Sequence, residues 1–488
     1  MVFLIFPHQL FYNLEHLDNH NKIYIIEEPR YFTDFNFHKL KLAYHRATMK
    51  KYYDYLKKKK YNITYINFNQ VTNTFYKTFE ENITIIHVND FKLENKLKKI
   101  YGKKLIILEN KNFLIKLEEL NEIKKLIFKN KKYSHEEFYK YQRRKLNILI
   151  ESDNKPIKGK WSFDNENRLP LPKNHKVIKT ITKIKKNKYI IEAILYVNAN
   201  FKNNYGSLDN FIYPIDHSSS KKWLMKFLEE RLKNFGAYED AVDENEPFIY
   251  HAIISPMMNI GLLTDNQVVD ISYKYYLANT KHITIQSFEG FIRQVIGWRN
   301  YVYTLYLLEG PELYETNQLK HHNQINDKFW TAETGMIPID SLINKIVNYS
   351  YAHHIERLMY LGNFMLLCFI EPKQVYQIFM EWIIDAYDWV MVPNIFGMSQ
   401  YATPIMMTRP YFSSSNYINK MSTFKRSTQD GWSEIWDALY YNFINKHQDL
   451  FKKNYAIAQQ VKNWNNKSDL EQKIIIKKAT EFINQLLK

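Results

Sequence analysis

Apolar and polar positions follow two different rhythms along this chain. Through the first 130 residues, short apolar runs alternate with charged segments. "VFLIF" (2–6), "KIYIIEE" (22–28), "YNITYINF" (61–68), "ITIIHV" (83–88) and "KKLIILEN" (103–110) read as buried strands. Between them lie helical patterns such as "FHKLKLAYHRATMKKYYDYLKKK" (37–59). Apolar strands alternating with helices predict an α/β domain with a parallel, Rossmann-like sheet. Such sheets bind ligands beyond the carboxyl ends of their strands. That rule puts Pro7, His8, Gln9, Glu27 and Glu28 near any crevice. No glycine-rich phosphate loop is present, which argues against a dinucleotide in this domain.

Residues 131–215 read as a less regular connector containing "KPIKGKWSFDNENRLPLPKN" (155–174), rich in proline and turn formers. From 216 to 488 the period becomes helical. Amphipathic stretches at 217–236, 287–308, 339–348, 351–369, 374–390 and 432–446 carry dense Trp, Tyr, Phe and Met. The expected architecture is an α/β domain over 1–130, a connector over 131–215 and a large all-α domain over 216–488.

One helical stripe breaks the apolar rule. In "YAHHIERLMYLGNFML" (351–366), His354 and Arg357 share a face with Leu361, Phe364, Met365 and Cys368. A buried charge without a partner costs roughly 3–5 kcal/mol, so a polar group or a ligand must meet that end of the helix. In "QVYQIFMEWIIDAYDWVMVPN" (374–394), Asp385 falls inside the stripe of Val375, Ile378, Phe379, Trp382, Ala386 and Trp389. It is the natural partner of Arg357, either as a structural ion pair or as a bidentate pair facing a planar heterocycle. "ISPMMNIGLL" (254–263) places Ser255 and Pro256 at a helix start, a weak anion-site signal. "SFEGFIRQVIGWRNYVYTLY" (287–306) supplies Glu289, Arg293, Gln294, Trp298 and Arg299, with Glu289 and Arg293 spaced as a solvated i,i+4 ion pair.

Composition narrows the classes. Lys+Arg 68 against Asp+Glu 51 leaves a charge of +17, which suits a polyanionic partner or, as readily, solvated lysine faces. One cysteine excludes an intramolecular disulfide and a four-cysteine iron–sulfur site. No apolar run is long enough to span a membrane, and "MVFLIFPHQLFYNL" reads as a first strand and not as a signal peptide. A soluble, intracellular monomer is expected.

The segments "LIFPHQLF", "KGKWSFDNENRLPLP", "ISPMMNIGLL", "EGFIRQVIGWRNYV", "AHHIERLMYLGNF", "DAYDWVMVPNIFGMSQ" and "RPYFSSSNYINKMS" together resemble the photolyase/cryptochrome family. The resemblance is closest to its bacterial (6-4) branch and covers nearly the whole chain. It implies FAD in the helical half, with Ser255 at the phosphates and Gln294, Trp298, Met391 and Asn394 around the flavin. Arg357 and Asp385 would be the ion pair beside the isoalloxazine ring. His354, with His353 beside it, would face the lesion in UV-damaged DNA and donate a proton. Tyr411 and Tyr417 would line the lesion pocket, with Asn300 near the substrate where relatives carry Glu. The resemblance also implies a lumazine-type antenna in the α/β domain, for which His38, Lys39, Glu27 and Glu28 are candidates. Each of these four also reads as an ordinary helix or strand-end residue.

Departures accompany the resemblance. Pro338, Lys425 and Thr428 stand where the branch carries cluster cysteines, so no iron–sulfur cluster is expected, and Trp432 and Trp436 should pack that region instead. Ile378 and Phe379 replace a Trp–Tyr pair of the branch's electron path; Trp330, Trp382 and Trp389 remain as candidates. The reading is light-dependent repair of (6-4) photoproducts, with a cryptochrome-like photoreceptor as the alternative.

Overall fold

The computed structural model describes residues 1–17, 21–163, 168–172, 184–426 and 431–488. All five expected strands form: β1 (Val2–Ile5), β2 (Lys22–Ile26), β3 (Asn62–Ile66), β4 (Ile83–Ile86) and β5 (Leu105–Leu108). They make one parallel sheet in the order β3-β2-β1-β4-β5. β1 and β4 are buried along their whole lengths, as a sheet covered on both faces requires. Helix α1 (Lys39–Lys58) buries Leu40, Leu42, Ala43, Tyr44 and Ala47.

The connector is more structured than expected. It contains helices His135–Lys145 and Lys188–Asn200. The second lies along α1, where Tyr189 donates to Asp54 at 2.6 Å and Glu192 pairs with Arg46 at 2.6 Å. The α/β layer therefore draws on chain well beyond residue 130.

The remainder is helical. Three of its helices widen into π turns, at Arg293–Arg299, Glu356–Gly362 and Pro393–Ser399. A Cβ on Gly362 would strike Ser399, so two of these turns touch through a glycine that cannot be enlarged. The expected helix over 374–390 is two: Pro372–Trp382 ends, and Asp388–Val392 starts a new one. Asp385 thus sits in a turn and not on a helical stripe. Trp432 and Trp436 are fully buried, their indole N–H groups donating to the carbonyls of Lys425 (3.2 Å) and Ser413 (3.0 Å). Pro338 opens helix Ile337–Tyr349, and Lys425 folds back onto the carbonyls of Asn419 and Ser422. Thr428 lies outside the described residues. Cys368 is buried among core residues. Among the described residues no helix is long and apolar enough to cross a membrane.

Candidate functional site

A cavity of about 1180 Å³ opens in the helical half, and all three π turns contribute to its wall. π turns recur at functional sites because the extra residue re-aims the side chains that follow. The volume exceeds the roughly 300–1,000 Å³ of typical small-molecule pockets, which leaves room for a dinucleotide-sized ligand and part of a second one.

The ion pair expected from the sequence is present. Arg357 Nη1 and Nη2 donate to the two carboxylate oxygens of Asp385 at 2.8 and 3.0 Å. Burial opposes the guanidinium charge, but Asp385 overrides it and raises the proton affinity of Arg357. Arg357 Nε donates to the carbonyl of Ala352 at 2.6 Å, which fixes the plane of the fork. The hydroxyl of Ser255 also donates to Asp385. Ser255 therefore belongs to this cluster and lines the cavity, where the resemblance implies a place at the phosphates. Asn259 donates to the carbonyl of Asp385 at 2.7 Å and accepts from Arg299. Arg299 in turn pairs with the buried Asp265 at 2.7 Å. Its Nη2 is buried without a partner among the described residues, although Arg299 lines the cavity.

His354 faces the same cavity as Arg357. The surface it exposes belongs to the cavity, and its surroundings still withhold enough water to lower its pKa to about 4, with repulsion from Arg357 adding to burial. His353 does not reach the cavity. It is buried and stacks on His251 with ring centres 4.1 Å apart, so it cannot touch a ligand there.

Gln294, Trp298, Met391, Asn394, Tyr411 and Tyr417 all line the cavity. Gln294 donates to Glu239 at 2.6 Å, and Trp298 stacks on His135 at 3.8 Å. Asn300 does not line it. Fully buried, it donates to Asp265 at 2.7 Å and accepts from the Leu114 amide at 2.8 Å, which makes it a structural tie and not a substrate contact. Glu289 and Arg293 are likewise buried and not solvated; Glu289 accepts from Tyr139 at 2.8 Å and from the Phe163 amide at 3.1 Å.

The three electron-path candidates separate. Trp382 and Trp330 meet edge to face at 5.2 Å, and Tyr205 packs against both. Trp389 instead lines the cavity beside Phe113 and under Arg299. Of the four antenna candidates, Glu27, Glu28 and His38 have their side chains engaged by the fold, and Lys39 is tied through its backbone. Glu27 accepts from Arg46 (2.8 Å), Tyr65 (2.7 Å), Tyr196 (2.7 Å) and the Phe68 amide (3.0 Å). Glu28 holds Tyr76 and Lys96, His38 caps α1, and the Lys39 amide donates to the Tyr205 carbonyl at 2.8 Å.

Sequence reasoning missed Asp265 and the orphaned nitrogen of Arg299. The "GWRN" stretch named the arginine, but only the fold shows which of its donors lacks a partner.

Comparison with known proteins now decides the family. The (6-4) photolyase of Agrobacterium fabrum is 34% identical over 369 residues, spanning 73% of this chain and 71% of that protein. The chain belongs to the photolyase/cryptochrome family. The family described as deoxyribodipyrimidine photo-lyase-related protein matches residues 3–213. An uncharacterized protein of Acanthamoeba polyphaga mimivirus is 41% identical over 130 residues, 26% of this chain and 100% of that one. The fold matches a bacterial class III photolyase from Agrobacterium tumefaciens with a TM-score of 0.57 at 14% identity, over 99% of this chain and 98% of that one. It also matches a Synechocystis cryptochrome with a TM-score of 0.57 at 12% identity, over 100% and 99%.

Proposed function

We propose that this photolyase-family protein binds FAD in the helical cavity and repairs (6-4) photoproducts in UV-damaged DNA under light. The observation that carries the reading is His354 and the Arg357–Asp385 fork lining one cavity wall. The residues present fit a flavin dinucleotide. A bidentate fork suits the edge of a planar heterocycle, and the buried Nη2 of Arg299, unpartnered among the described residues, suits an acceptor from a ligand.

A reduced FAD held by these residues would supply light-driven one-electron chemistry, with the electron lent to the lesion and returned. The protein's part is to orient, dry and protonate. Arg357 and Asp385, locked by Ser255 and Asn259, hold the ring edge without reorganising. The apolar wall, including Phe379, Met391 and Met398, excludes water from it. Exposed Lys160, Arg168, Arg409 and Lys420 on the lining suit a phosphate backbone brought to the cavity with an extruded base.

His354 is the candidate proton donor. With a pKa of about 4 it is neutral at pH 7 in the free protein, so acid catalysis requires bound ligands to raise it. Negative charge delivered beside Arg357 acts in that direction. A photoreceptor without repair is the second reading, and the low proton affinity of His354 favours it.

The test is blue-light repair of an oligonucleotide carrying a (6-4) lesion, with a cyclobutane-dimer oligonucleotide beside it. Repair of the first alone supports the proposal; repair of neither, by protein that holds flavin, supports the photoreceptor. Binding to damaged duplex should weaken with salt, with a log–log slope of about −0.9 for each phosphate neutralised.

A further inference from the structure

Lys41 is a buried lysine outside the cavity wall. It lies on α1, in the α/β half, with only 1% of its surface exposed. Its ammonium donates to the carbonyl of Met380 at 3.1 Å and to that of Ala386 at 2.7 Å. Those carbonyls flank the turn between helices Pro372–Trp382 and Asp388–Val392, and Asp385 sits in that turn. The rings of Phe37 and Tyr387 lie 4.6 and 5.5 Å from the ammonium.

We propose that Lys41 is a positioning residue for the cofactor site, tying both flanks of the turn so that the Asp385 carboxylate is held at Arg357. The inference rests on the flavin reading above. Other ties reach the turn from the helical half: Ser350 accepts from the Ile384 amide at 2.8 Å, and Asn259 holds the Asp385 carbonyl. Lys41 supplies the hold from the opposite domain, so the N-terminal half takes part in shaping the cavity.

The energetics separate this role from simple stabilisation. Burying an ammonium is unfavourable, and here it lowers the lysine from 10.5 to about 7. Asp385 and Glu381 act to raise it and Arg30 to lower it, while His38 and His45 also feel its charge. The folded state therefore binds fewer protons than the unfolded chain between about 7 and 10.5. The stability linked to this group is present above the upper value and is lost as pH falls toward the lower one. At neutral pH the buried ammonium works against the fold, which suits a residue that serves the site.

The experiment compares wild type with Lys41→Met and Lys41→Gln. Flavin affinity, melting temperature at pH 7 and amide exchange across 383–387 in flavin-free protein are measured for each. Lys41→Met should melt no lower than wild type, bind FAD at least about tenfold more weakly and exchange faster across the turn. Lys41→Gln, which keeps an N–H donor, should fall between the two. Flavin affinity within twofold of wild type in Lys41→Met would overturn the proposal, as would a variant that melts lower or fails to fold. If wild type binds no FAD, the flavin reading fails, and the exchange measurement still decides whether Lys41 positions the turn.

Discussion

Two regions of this molecule are dense in buried charge, yet they differ in what remains unpaired. At the carboxyl end of the parallel sheet, Glu27 is fully buried and takes four donors from Arg46, Tyr65, Tyr196 and the Phe68 backbone. In the helical cavity, Arg357 and Asp385 form an equally good pair, but Arg299 keeps a donor with no acceptor among the described residues. Helix Lys188–Asn200 accounts for the difference, because its Tyr196 and Glu192 cover the place where an open α/β sheet would offer a crevice. Buried ionisable groups alone therefore do not mark a site. An unfinished set of partners on the wall of a cavity does.

The contrast breaks most sharply at His354. His354→Asn keeps a polar side chain of similar size but removes the titratable proton, so (6-4) repair should fall by about 100-fold or more. Flavin content and damaged-DNA affinity should stay near wild type. Single-turnover repair under blue light reads the first, and visible absorbance and DNA titration read the others. Wild-type repair by His354→Asn would remove the proton-donor role.

Arg357→Ala should come next. It leaves Asp385 with Ser255 as its main side-chain donor, at a cost of roughly 3–5 kcal/mol, and it should also release the flavin. Arg357→Met combined with Asp385→Leu should regain most of the stability and none of the flavin. Denaturant melts and flavin stoichiometry separate the two effects.

In the α/β region the same kind of change should act on stability alone. Arg46→Met removes one donor from Glu27 and leaves the other three, so roughly 1.5–3 kcal/mol is expected. Flavin affinity should not move, since no residue of the Glu27 cluster lines the cavity. A large loss of flavin in Arg46→Met would show that the crevice and the cavity are coupled.

Part of this contrast was readable from sequence and part was not. The five strands and the Arg357–Asp385 partnership followed from apolar patterning, because a charge on a buried stripe must find its counterion. The apolar period carries a helix past Asp385, whereas the helix ends at Trp382 and Asp385 meets Arg357 from a turn. The π turns were invisible, since a π turn depends on packing against neighbours such as Ser399 at Gly362, which no local period encodes. Beyond each such turn a 3.6-residue stripe loses phase. The resemblance puts Asn300 near the substrate, whereas in the fold its amide is spent on Asp265. Lys41 could not be singled out at all, because in a chain of 68 basic residues a buried lysine looks like any other.

The smallest expected effect tests whether the two regions are independent. Tyr196 is half-buried, and its hydroxyl donates to Glu27 at 2.7 Å while its ring lies 3.9 Å from the Arg46 guanidinium carbon. Tyr196→Phe keeps the ring, and with it the cation–π contact, and removes only one donor from a carboxylate that retains three. A hydrogen bond to a charged group is worth roughly 1.5–3 kcal/mol when its loss leaves the charge bare. Here the remaining donors limit the loss to about 1 kcal/mol. Urea denaturation should show a lower midpoint with an unchanged slope, the mark of lost stability without a change in the surface exposed. Flavin affinity and repair should match wild type, because substitutions at separate sites without shared partners act independently to within about 0.5 kcal/mol. If Tyr196→Phe weakens flavin tenfold, the filled crevice is part of the functional site and the contrast between the two regions fails.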